Sequence, residues 1–343
     1  MRITLKPVLT SSAATRDRRW CQLPWLSQIA ILAFAVLGVT PEQAAAQAWP
    51  QRPVMLILPY PPGGTIDTQA RIMGERLAAR LGQTFVVLNK PGATGAIATE
   101  FVIRSEPDGY TLLFASSAQT TSVPMTEKVN YKLEDLVPIS ASGNGPMILA
   151  VNSAMPVKSL EEFIDHVKAN PEKYAYASAG IGSVAHLVAA LLVERAGLQA
   201  LHVPYRGGGP AVSDLMGGQV SFYFGNAPEL LPHKSNDRVR IIAVSTSKRM
   251  PQLPDVPAVA EVIPGFEMSA WQGFLAPVRT PQPIVSRLEQ EISGIAKEPA
   301  VVEKLAKLGV EATSMSQAQF VEVIRKEQGI YAEAVKAAGL ARN

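Results

Sequence analysis

The sequence predicts an α/β protein of two lobes, each a mainly parallel sheet flanked by helices, with two strands crossing between them. From Trp49 onward, short apolar runs alternate with helical periodicities, the pattern of strand–helix units that build parallel sheets. The same strand–loop–helix plan starts near residue 54 and again near residue 174. With 343 residues, 47% of them hydrophobic and 18% charged, the chain can bury cores for two domains of ordinary size.

The first unit opens with VMLIL (54–58), a continuous apolar run of the kind found in strands buried on both faces. A loop over 59–65 follows. Ile66, Ala70, Met73, Leu77 and Leu81 then recur at helical intervals and stop at Gly82. Strands are predicted over 85–88 and 110–115, with a helix over 96–104 between them and a Pro107-Asp108-Gly109 turn at its exit. The pattern restarts after Asn144-Gly145-Pro146. Ser159-Leu160-Glu161-Glu162 is a capping box that opens a helix to about residue 169.

A strand over 174–177, a loop over 178–182 and a helix over 183–196 come next, then a strand over 201–204 and a glycine-rich turn. A helix over 210–216 and strands over 220–224 and 239–245 complete the second unit. Helices over 284–296, 300–308 and 320–339 close the chain, the last with Ser316 and Gln319 placed as a capping box. Strands over 147–151 and 271–275 bracket the second unit as its crossovers. The predicted lobes are 49–147 with 272–343, and 148–271.

Residues 1–48 read as an export signal: a basic start, an apolar stretch over 29–39, and Ala46-Gln47-Ala48 as a cleavage site before Trp49. The apolar stretch is too short to cross ~30 Å of hydrocarbon. Five of the 32 basic residues and two of the 29 acidic ones precede Trp49, which leaves 27 of each. A neutral remainder argues against a nucleic-acid surface, which needs clustered positive charge. Cys21 is the only cysteine, so residues 49–343 carry no disulfide and suit an oxidising compartment. His166, His186, His202 and His233 are widely spaced without an HExxH pair, so neither a metal nor another cofactor is expected.

Two loops share one design. Residues 59–67 (PYPPGGTID) and 178–183 (SAGIGS) each lie between a strand and a helix. Glycine lets the backbone N–H groups turn towards a ligand, and a helix N-terminus favours an anion there. Thr65, Ser178 and Ser183 would add hydroxyl donors. A β-branched residue at Gly64 would block that approach and resist any positive φ.

Other chemistries find less support. Residues 180–185 match G-x-G-x-x-A, but the acidic residue a dinucleotide site needs is missing from LHVPYR at 201–206. Neither a phosphate loop with G-K-[ST] nor a G-x-S-x-G elbow occurs. Ser183, His186 and Asp214 could be drawn as a triad, yet helix capping explains Ser183 with less assumption.

With both loops placed, six ordered blocks resemble the extracytoplasmic solute receptors of tripartite tricarboxylate transporters, the Bug receptors. They are WPQRPVMLILPYPPGGTIDTQAR (49–71), LGQTFVVLNKPGATG (81–95), PDGYTLL (107–113), SAGIGSVAHL (178–187), HVPYRGGGPAVSDLMGGQVSFYF (202–224) and LPDVPAVAE (253–261). The resemblance implies a periplasmic binding protein of type II-like fold. Such a protein closes on a small organic carboxylate and hands it to integral-membrane transporter subunits, as a monomer and without catalysis.

Carried over by the resemblance, the contacting positions are Tyr60, Gly64, Thr65 and Asp67 in the first loop, and Ser116, Ser117 and Ala118 after the third strand. Ser178, Ala179, Gly182, Ser183 and His186 follow in the second loop and its helix. Asp214, after YRGGGPA, either selects a polar or cationic ligand group or caps and orients a helix. Many members have Phe where this chain has Tyr60, and neither loop supplies an arginine clamp. Aliphatic dicarboxylates, amino acids and aromatic acids therefore all stay open as ligands. An orphan sensor and a secreted hydrolase are the alternatives of other classes.

Overall fold

A computed structural model describes residues 49–341; the expected signal segment, 1–48, lies outside the described residues. The first sheet is built on β1 (Val54–Leu58), which pairs in parallel with β2 (Phe85–Asn89) and β3 (Thr111–Ser116). Its apolar run is explained by burial on both faces. Leu56 and Leu58 join one core with Met73 and Leu77, while Ile57 joins another with Val102, Leu113 and Trp271. Between these strands run α1 (Thr65–Leu81) and α2 (Ala96–Ile103). Gly82 ends α1 in the left-handed region at φ 70°, as its position after the last apolar residue predicts.

After the short α3 (Ser122–Thr126), β4 (Leu136–Asn152) runs unbroken through the stretch predicted to restart the pattern. Asn144-Gly145-Pro146 is therefore no interruption. The residues pair with a strand far downstream, and that tertiary partner overrides the local turn signal: Asn144, Gly145 and Pro146 lie opposite Trp271, Ala270 and Ser269 of β9 (Ser269–Pro277). Beyond Pro146 the same strand enters the second sheet, where Met147–Val151 pairs antiparallel with Asn226–Phe222 of β7 (Phe222–Asn226).

The second sheet repeats the plan. Ser159 caps α4 (Leu160–Lys168) by accepting from Glu162 N at 3.2 Å. β5 (Ala175–Ser178) pairs in parallel with β6 (Leu201–Pro204) and β7, while β8 (Val239–Val244) pairs antiparallel with β4. Around them lie α5 (Val184–Arg195), α6 (Gly208–Met216) and the one-turn α7 (Ala227–Leu230). The predicted parallel pairs thus form one side of each sheet; β4 and β9 complete the first antiparallel, and of these two expected crossovers only β4 continues into the second sheet. The chain returns from β8 through Ser245 to Met268, where Met268 N donates to Ser245 O at 3.0 Å. β9 itself lies wholly in the first sheet.

At the end come α8 (Gln282–Ile295), α9 (Pro299–Lys307), the two-residue β10 (Glu311–Ala312) and α10 (Gln317–Ala337). The last helix spans both cores. Phe320 packs edge-on against Trp271 with ring centroids 4.7 Å apart, whereas Tyr331, Ala334 and Val335 join the second-lobe core. Arg195 of α5 holds Glu333 through two hydrogen bonds of 2.8 and 2.6 Å. The range 272–343, expected within the first lobe, therefore ends against the second.

Candidate functional site

Parallel strands present their C-terminal ends to one edge of a sheet, and the helices that follow start there with exposed N–H groups. In this fold the ends of β1, β3, β5 and β7 all open on one cleft of about 730 Å³. The loop after β1 is held rigidly. Asp67 is 4% exposed and accepts from Gly63 N at 3.0 Å, from Asn89 Nδ2 at 2.9 Å and from both arms of Arg71 at 3.0 Å. The Arg71 hydrogen bonds hold its carboxyl down at about 2, against the desolvation that opposes them. Gly63 carries the positive φ, 89°, while Gly64 is extended at φ −80° and has open space where a side chain would point.

Tyr60 crosses to the loop after β3. Its hydroxyl lies 2.6 Å from Ser116 Oγ and donates to Gln119 Oε1 at 2.8 Å. Burial pushes this phenol up. Gln119 in turn donates to Thr94 O at 3.2 Å, tying three loops together. Gly95, at φ 96°, allows this because a Cβ there would lie 2.5 Å from Gln119 Nε2.

The second loop is built by its own hydroxyls and a histidine pair. Ser183 caps α5, accepting from His186 N at 3.2 Å, and donates to Gly180 O at 2.7 Å. His186 Nδ1 accepts from Gly182 N at 3.2 Å, which places the imidazole proton on Nε2. Its ring stacks on His202 with centroids 3.8 Å apart, and His202 Nε2 lies 2.7 Å from Ser178 Oγ. Burial, with His202 beside it, pulls His186 down to about 4 and keeps it neutral. Asp214 accepts from Tyr205 at 2.7 Å. The three residues that could be drawn as a triad are thus engaged elsewhere.

Residues 69–340 match the tripartite tricarboxylate transporter family receptor. The chain belongs to this family. It is 39% identical over 269 residues to the BugT protein of Bordetella pertussis (strain Tohama I), covering 77% of this chain and 82% of that one. The fold resembles that of the periplasmic binding protein BugD, with 32% identity and a TM-score of 0.70 over 86% of this chain and 100% of that one. It also resembles an R. palustris protein solved with adipate, with 30% identity and a TM-score of 0.73 over 85% and 99% of the two chains. Family receptors are periplasmic and two-lobed. Among the described residues no helix is long and apolar enough to cross a membrane.

Of the positions carried over from the receptor family, Tyr60, Gly64, Thr65, Asp67, Ser116, Ala118, Ala179, Gly182 and Ser183 line the cleft. Ser117, Ser178, His186 and Asp214 do not. Ser117 is fully buried with its Oγ 2.9 Å from Tyr331 Oη, and Ser178 and His186 stand behind the second loop as its support. Of the two readings of Asp214, the contact to Tyr205 fits the orienting one. Sequence reasoning missed Gln119, Gln272 and Glu229, all of which line the cleft. Glu229 and Gln119 left a local signal, each as the third residue after the N-cap of a capping box, Asn226 and Ser116 respectively.

Proposed function

We propose that this chain is a periplasmic solute receptor. It binds a small organic carboxylate between its two lobes and delivers it to the membrane subunits of a tripartite tricarboxylate-type transporter. One observation carries the reading: two glycine-rich loops, each opening a helix, face one cleft whose lining holds no lysine or arginine. Such a cleft holds an anion through backbone N–H groups and helix dipoles. The chain acts as a monomer, without catalysis, after removal of a signal peptide near Ala48. The adipate of the R. palustris relative supports a carboxylate as ligand.

Mass spectrometry of the purified protein offered pooled carboxylates tests the function. Recovery of an unchanged bound acid is expected, and its conversion to products refutes the receptor reading. Small-angle scattering tests closure: the radius of gyration falls at saturating ligand, because contacts from the second loop form only when the lobes meet. An identical radius in both states overturns closure.

A further inference from the structure

The charges that line the cleft are unbalanced. Asp67 and Glu229 are its two charged side chains. Asp67 is neutralised by the Arg71 fork. Glu229, on the second-lobe wall, meets only neutral donors: Tyr223 Oη at 2.7 Å, Asn226 N at 3.2 Å and Asn226 Nδ2 at 2.9 Å. No cation pairs with it among the described residues.

Its position is built. A Cβ at Gly208 would lie 2.1 Å from Glu229 Cδ, so the missing side chain makes the notch in which the carboxyl sits. Three donors and this notch hold one rotamer, unlike a swinging surface glutamate. A capping box alone explains the contact to Asn226 but neither the notch nor the Tyr223 hydroxyl.

The cleft therefore offers anion-binding amides at its glycine loops and, elsewhere in its lining, a carboxylate with no cation beside it.

Resting on the receptor reading, we propose that the ligand is a zwitterion bearing one carboxylate and one ammonium group. Glu229 selects it by receiving the ammonium. A dicarboxylate in the same cleft would bring its second anion towards an unpaired glutamate. Desolvated charge of one sign against the same sign is how sites reject a wrong ligand.

Calorimetry with matched probes tests this: succinate, glutarate and adipate against β-alanine, 4-aminobutyrate and 5-aminopentanoate, together with the α-amino acids alanine, valine and leucine. The tightest ligand of the wild-type protein is expected to be an amino acid, favoured by at least about tenfold over any of the diacids. Glu229→Gln keeps the capping box, which glutamine also serves, and should erase that preference while leaving the melting temperature without ligand nearly unchanged. A diacid as the tightest wild-type ligand overturns the proposal and leaves the receptor reading standing. So does an unchanged preference in the variant. If none of the acids binds, the zwitterion proposal falls, and the pooled-carboxylate mass spectrometry decides the receptor reading.

Discussion

The first loop depends on the Asp67 carboxylate, and Asp67→Asn isolates that dependence. The substitution keeps the shape but removes the charge and turns one acceptor towards donors. Its magnitude follows from the native carboxyl, held at about 2 instead of 3.8. Each unit is worth about 1.36 kcal/mol, which sets an upper value near 2.4 kcal/mol. Arg71 is half exposed, with 52% of its side chain accessible, so solvent screening reduces this to roughly 1–2 kcal/mol. For a chain of this size that is a fall of roughly 2–4 °C in melting temperature. The sign is fixed by linkage: a depressed carboxyl stabilises above its unfolded value, and the gain is lost as pH falls from about 4 towards about 2. Urea unfolding at pH 7, repeated in acid, measures both. An unchanged midpoint at pH 7, or the same acid limb in variant and wild type, refutes this account.

Three further outcomes are expected. Gly64→Val meets open space and an extended backbone, so the fold should survive with its melting point intact while calorimetry shows carboxylate affinity lost. His186, held down at about 4, binds its proton more readily when unfolded, so stability should decline as pH falls from about 6.5 to about 4; His186→Phe should flatten that limb in pH-resolved unfolding. Glu327, buried beside Trp271, is pushed up to about 8 by desolvation, with Glu267 adding to the rise and Lys326 opposing it. Stability is then present below about 4.5 and lost as pH rises to about 8, by about 1.4 kcal/mol per unit, and Glu327→Gln should remove this alkaline decline.

What could be read from the sequence is what local physics determines. VMLIL announces a strand buried on both faces, because alternate side chains enter two different cores. Gly82 and Ser183 mark helix ends because their own backbone or hydroxyl makes the cap. The unbroken course of β4 was hidden, since Gly145-Pro146 is a turn signal until Ala270 and Ser269 arrive as partners. The division of α10 between two cores was hidden for the same reason: one amphipathic stripe does not say which lobe each turn meets. Gln119, Gln272 and Glu229 acquire their roles only from residues that folding brings beside them. The Asn226–Glu229 spacing carried a helix-start signal that the sequence reading did not use, and nothing in it pointed to Tyr223 or the Gly208 notch.

The proposed anion site lies beside a buried aspartate, which looks self-defeating until the geometry around Asp67 is followed. The Arg71 fork turns Asp67 into a neutral pair, while its second oxygen orients Gly63 N–H. What remains to face a bound carboxylate is the start of α1 and, on closure, that of α5. Each helix start acts as roughly half a positive charge. At ~4 Å and an effective dielectric of ~20, that is worth about 2 kcal/mol per helix. In the proposed receptor the first lobe alone would give weak capture and the second contribution would come only from a closed form, so closure and affinity would be one quantity measured twice. Backbone dipoles do not titrate. Any pH dependence of the anion contact at the glycine loops then comes from the groups that support those loops, Asp67 and His186, whose windows lie below about 4 and below about 6.5. Above those windows the glycine loops should hold an acid of fixed charge with constant affinity, whereas a cleft lined by lysine would lose it as the amine deprotonates.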